Sequence, residues 1–158
     1  MNAENVLAFL HVLSAFWYAT GLAGVLLPLG RAWRSRDPQV QAWALAEASQ
    51  YQGLLLLPGT IALGASGVFL WAEIGYNFLT TGWLLALEIL YLVVLLLCLP
   101  LLGIGLRRAH LLSLQAAKHG TITPELEEAL ADKVPLVFGG IAVMLLPVMT
   151  YLALFKPL

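Results

Sequence analysis

The chain has 158 residues, 61% of them hydrophobic and 11% charged, with a formal net charge of −1 and a mean hydropathy of +0.88. A soluble domain carries about 25% charged residues, so a water-soluble globule is excluded, and the near-neutral balance gives a nucleic-acid partner nothing to hold. With Cys98 as the only cysteine, an intrachain disulfide and a thiolate-built zinc site are excluded too.

The first element is the run over residues 6–29, VLAFLHVLSAFWYATGLAGVLLPL, which contains one histidine and no formal charge. At ~1.5 Å per residue it is long enough to cross a ~30 Å hydrocarbon core. The preceding MNAENV has no basic segment and no small-residue cleavage pattern follows, so the run is expected to be a retained membrane helix rather than a signal peptide. The next stretch, GRAWRSRDP, is expected to form a short loop carrying Arg31, Arg34 and Arg36. The positive-inside rule puts that loop in the cytoplasm and the N-terminus outside.

Residues 39–52 are mixed in character and free of glycine and proline. They are expected to form an interfacial helix that leads into a second span over 53–72. Pro58-Gly59 is expected to kink that span. Its Thr60, Gly64 and Gly67 form a small-residue stripe suited to close helix approach. Trp71 and Tyr76 fit an outer aromatic belt. A third span over 83–106 contains Glu88, Cys98 and Pro100. After it, RRAHLLSLQAAKHG is expected to be a second basic cytoplasmic loop. Thr123-Pro124-Glu125 has the signature of a helix start, with Thr as N-cap, Pro in the first turn and acids following. The resulting short interfacial helix covers 124–133, and a fourth span covers 134–155. The fold class expected is therefore all-α: an integral membrane four-helix bundle, up-down-up-down, forming one transmembrane domain over 1–158 with both termini on the outer side. The location expected is the cell (inner) membrane.

His11 and Glu88 lie at similar distances from the outer ends of spans one and three, which puts an imidazole and a carboxyl at one depth in the outer leaflet. Ionisable groups there cost at least ~2.5 kcal/mol near the bilayer centre and face the bundle, where they find partners. Ser14 and Tyr18 follow His11 at i+3 and i+7, and Tyr91 follows Glu88 at i+3. Ser66, Thr150 and Tyr151 reach the same level. A polar pocket built from His11, Glu88, Ser14, Tyr18 and Tyr91 is the candidate cofactor-binding site. A register-fixing hydrogen bond between His11 and Glu88 is the plainer reading of the same residues.

No metal site is expected: His11, Glu88 and Met149 would mix hard and soft ligands, and no H-x-x-H or M-x-x-M is present. Met144 and Met149 read as packing residues. Haem b with His11 as axial ligand is open. His110 and His119 lie too far toward the inner side to complete a bis-histidine site in one chain, which leaves a single-histidine haem or one shared with a partner chain. The acidic run Glu125, Glu127, Glu128 and Asp132 reads as a solvated helix face.

Phe9, His11, Trp17 and Gly21 give the first span an aromatic-x-His pattern followed by Trp and Gly. This pattern resembles the opening helix of CopD-type copper-resistance proteins and HemJ-type membrane protoporphyrinogen oxidases. Over its full length the chain resembles a related family of predicted four-span integral membrane proteins of unknown function. The likeness is carried by the Arg-rich first loop, LPGTIALGASGVFLW, the RR pair and the terminal LALFKP. The HemJ resemblance implies haem on His11 and a lysine in the third helix, where this chain has Leu87 and Glu88. No catalytic constellation is evident, and the reading leans away from an enzyme. The physical role expected is an accessory or structural subunit that packs in a larger membrane assembly, with other chains or copies of itself as partners. A haem- or quinone-associated redox protein acting at the His11/Glu88 pocket is the alternative, and a copper-handling membrane protein the second.

Overall fold

The structure, a computed structural model, describes residues 2–77 and 80–157. Four long apolar helices make up nearly all of it: α1 (Ala3–Arg34), α2 (Pro38–Ile74), α3 (Gly82–His119) and, after the short α4 (Pro124–Ala131), α5 (Val134–Phe155). There is no strand among the described residues. The molecule is inside-out by the standards of a soluble protein. Phe16, Leu27, Leu96, Ile104, Met144 and Leu154 are exposed, an apolar surface that only lipid tolerates. The core is a narrow seam of Leu22, Val25, Leu29, Leu45, Leu56, Leu102 and Leu106.

The hydroxyls inside the spans confirm the solvent. Ser14 donates to the Leu10 carbonyl, Thr20 to Phe16, Thr60 to Leu56 and Thr150 to Leu146. Each bonds one turn back along its own helix, which is how a hydroxyl is satisfied where no water reaches it.

Of the two stretches expected to be loops, the first is partly helix and the second almost wholly so. Arg31 and Arg34 sit in the last turn of α1, where cations favour the negative helix end, and only residues 35–37, with Arg36, form the connection. RRAHLLSLQAAKHG continues α3 as far as His119. The reason is its periodicity: Leu106, Ala109, Ser113 and Ala116 are all buried on one side, a helical repeat partly hidden by the neighbouring charges. The 39–52 segment is continuous with the second span, and one face of it packs into the bundle through Ala44, Leu45 and Ala48. At about 55 Å each, α2 and α3 exceed the ~30 Å core. The bundle therefore projects beyond the hydrocarbon at this end, which carries every Lys and Arg except Lys156. Arg31–Glu47 (3.3 Å) and Arg108–Glu128 (3.2 Å) pair across it. It is called the basic end here, and the opposite end, with both termini, the terminal end.

Thr123 caps α4, its hydroxyl accepting from Leu126 N–H at 3.3 Å, with Pro124 in the first turn. The fully buried Leu126 then seals α4 to the bundle. Thr123→Ala is expected to cost about 1 kcal/mol, read as increased amide exchange over Pro124–Ala131.

The middle of α2 and of α3 departs from α-geometry in the same way. Leu57 N–H bonds to Gln52 O, and Leu99 N–H to Val94 O, each five residues back, so each helix contains a π turn. A proline follows directly, Pro58 and Pro100. Proline lacks an N–H and its ring crowds the carbonyl four residues back. Widening the turn ahead of it relieves that clash without breaking the helix.

Candidate functional site

Beyond the two π turns, α2 stays on α1 while α3 stays on α5. The α1/α2 contact is backbone-close. A Cβ on Gly21 would lie 2.6 Å from the Leu56 Cα, and one on Gly59 would lie 2.9 Å from the Tyr18 nitrogen. The α2–α3 contact ends at Tyr91, whose hydroxyl donates to the Thr60 carbonyl at 2.9 Å and whose ring fills the notch above Gly64. Above this tie the two helix pairs part and enclose a cavity of about 700 Å³.

Thr60, Tyr91 and Val94 line its deep part, and His11, Tyr18 and Glu88 line its walls. At the terminal end Tyr76, Trp83 and Lys156 form the rim. Trp83 stands edge-on to Tyr76 (5.5 Å between centroids), and the Lys156 ammonium lies 5.2 Å and 5.5 Å from the Trp83 and Tyr76 rings. The lining also includes Phe16 of α1 and Leu154 of α5, which are 68% and 72% exposed. The cavity therefore reaches the lipid-facing surface as well as the terminal end.

The polar groups in the wall are incompletely used. His11 Nδ1 lies 3.0 Å from Ser66 Oγ. Ser66 spends its own proton on the Leu63 carbonyl at 3.1 Å, so the hydroxyl accepts from Nδ1–H and the Nε2 lone pair stays open. Tyr18 is 3% exposed, and its buried hydroxyl has no hydrogen-bond partner among the described residues. Glu88 makes no hydrogen bond or ion pair with any described residue.

Residues 5–157 match the family described as "Predicted integral membrane protein (DUF2269)". The chain belongs to the DUF2269 family. No curated protein and no solved structure matches it.

Of the residues singled out from sequence, this DUF2269 chain brings His11, Tyr18, Glu88 and Tyr91 to one cavity. Ser14 is buried, bonds Leu10 and is not in the lining. His11 and Glu88 share the cavity without the direct hydrogen bond of the plainer reading; Ser66 is the histidine's partner. Thr150 reaches the wall, whereas Tyr151 turns outward and packs on Phe155, 4.8 Å between centroids. Thr60 and Gly64, which the sequence marks as a packing stripe, and Trp83, at the start of the third span, belong to the cavity, and so does Lys156. Among the described residues, no group of three or more His, Cys, Asp or Glu side chains comes together as a metal site.

Proposed function

We propose that this DUF2269 chain binds, inside the bilayer, an apolar small molecule with a carbonyl or hydroxyl head, of the quinone class. The observation that carries this reading is the unused hydrogen-bonding capacity in an apolar cavity: the Tyr18 hydroxyl, His11 Nε2 and the Glu88 carboxyl. A buried polar group without a partner costs about 1–3 kcal/mol. A few convergent polar groups on apolar walls are the mark of a ligand pocket. Tyr18 O–H supplies a donor for a carbonyl, and His11 Nε2 an acceptor for a hydroxyl. The exposed Phe16 and Leu154 at the lipid side suit entry from the membrane rather than from water. A subunit that only packs against other chains gives no account of such a cavity. With the basic end in the cytoplasm by the positive-inside rule, the ligand sits in the outer leaflet of the cell membrane.

The test is saturable quenching of tryptophan fluorescence in detergent by a short-chain quinone, reported by Trp71 and Trp83 of the lining. Saturation is expected, with affinity falling about tenfold in His11→Ala, the worth of about one hydrogen bond. Unsaturable quenching, identical in both proteins, overturns the reading.

A haem is the second reading. It is favoured by the histidine pinned at one ring nitrogen with the other free, the usual setting of a metal-bound imidazole, and by the likeness of the first span to HemJ-type proteins. A Soret band in the purified protein that His11→Ala removes would select it over the quinone.

A further inference from the structure

A second concavity lies on the outer flank of the bundle, where α2 and α3 run side by side past both π turns. It has a volume of about 590 Å³ and is separate from the cavity above: the two share no lining residue. Its inner stretch is apolar, with Leu57, Leu95, Leu99 and Ile104; toward the basic end come Gln52, Arg107 and His110. No acid lines it. Arg31 and Arg108 are each paired to a glutamate, while Arg107, one residue from Arg108, makes no ion pair or hydrogen bond with any described residue. The Gln52 amide lies against Gly103 and has no hydrogen-bond partner among the described residues.

We infer that this groove holds one anionic phospholipid of the leaflet at the basic end, its phosphate on Arg107 and His110 and one acyl chain along the apolar stretch. The dimensions agree. Arg107 stands about 18 Å along the helix from Leu95, close to the ~15 Å of a single leaflet's hydrocarbon. An anionic head suits a groove with cationic and imidazole donors at its mouth and no carboxylate to repel it. The Gln52 amide lies between head and chain, where a lipid presents its ester carbonyls. The groove has this form because the π turns widen both helices side by side, and because Gly53 and Gly103 add no side-chain bulk.

The experiment is native mass spectrometry of the full chain released from nanodiscs made of equal phosphatidylglycerol and phosphatidylcholine. The wild type is expected to retain one phosphatidylglycerol in preference to phosphatidylcholine. Arg107→Gln lowers that preference about fivefold, the worth of one basic residue near an anionic surface. Arg34→Gln, at another exposed arginine with no ion pair among the described residues, leaves it unchanged. Gly53→Leu fills the groove, and since a Cβ there meets nothing within 4 Å it lowers retention without unfolding the chain. Equal loss in Arg34→Gln and Arg107→Gln would show general surface charge and overturn the site. Full retention in Gly53→Leu would overturn the acyl groove.

Discussion

Gly21→Leu is expected to cost the folded chain about 3 kcal/mol, at the upper end of what over-packing costs. The added Cβ would sit 2.6 Å from both the Leu56 Cα and the Leu56 nitrogen. Backbone atoms cannot swing aside as a side chain can, so α1 and α2 must separate. Leu22, Val25 and Leu56, all buried in the shared core, lose their contacts as they do. The interface cannot redistribute the strain elsewhere, because Gly59 makes the same close approach three residues further along α2, less than one turn, at the Tyr18 backbone. Gly140→Ala is the matched control: nothing lies within 4 Å of its added Cβ, and it is expected to gain about 0.5–1 kcal/mol from helix propensity. Thermal unfolding followed by circular dichroism in detergent reads both. A Gly21→Leu protein as stable as the wild type would show that the two helices do not pack at this distance.

Tyr18→Phe is expected to act in opposite directions on the empty and the loaded protein. The hydroxyl is buried with no partner among the described residues, so its removal stabilises the ligand-free chain by about 1–2 kcal/mol, most of the penalty of an unsatisfied buried group. The same change removes the donor proposed to meet the ligand's carbonyl, so quinone affinity falls about tenfold. A hydroxyl serving only packing or a trapped water would show no loss of affinity, and one satisfied within the protein would show no gain of stability. Unfolding and fluorescence titration, run on one preparation, separate these outcomes.

The number of spans, their order and the α4 cap were legible because they depend on local signals: apolar length, prolines, and Thr123-Pro124. The helical course of residues 107–119 was not. There the stripe of Ala109, Ser113 and Ala116 is made of small residues, which carry a weak hydrophobic signal beside Arg107, Arg108 and Lys118. Tyr18 and Tyr91 could be assigned to the cavity because i+7 and i+3 spacing keeps them on the faces of His11 and Glu88. Ser14 shares the His11 face equally well by spacing, and yet its hydroxyl turns back to Leu10. Periodicity locates a Cβ and says nothing of where a short polar side chain finds its bond. The parting of the two helix pairs was hidden for another reason. Proline announces a disturbance, but whether the helix kinks or widens is decided by tertiary packing, here the contact of α2 with α1 and of α3 with α5.

Each π turn amounts to a single supernumerary residue threaded into an otherwise regular helix. On an uninterrupted helix, omitting that residue would rotate everything beyond it by about 100°. Glu88 and Tyr91 look inward, and Gly64 meets Tyr91, only because α2 and α3 carry matching offsets at the same height. The aim of the chemistry is thus set by one extra residue in the middle of each helix, not by the side chains that carry it.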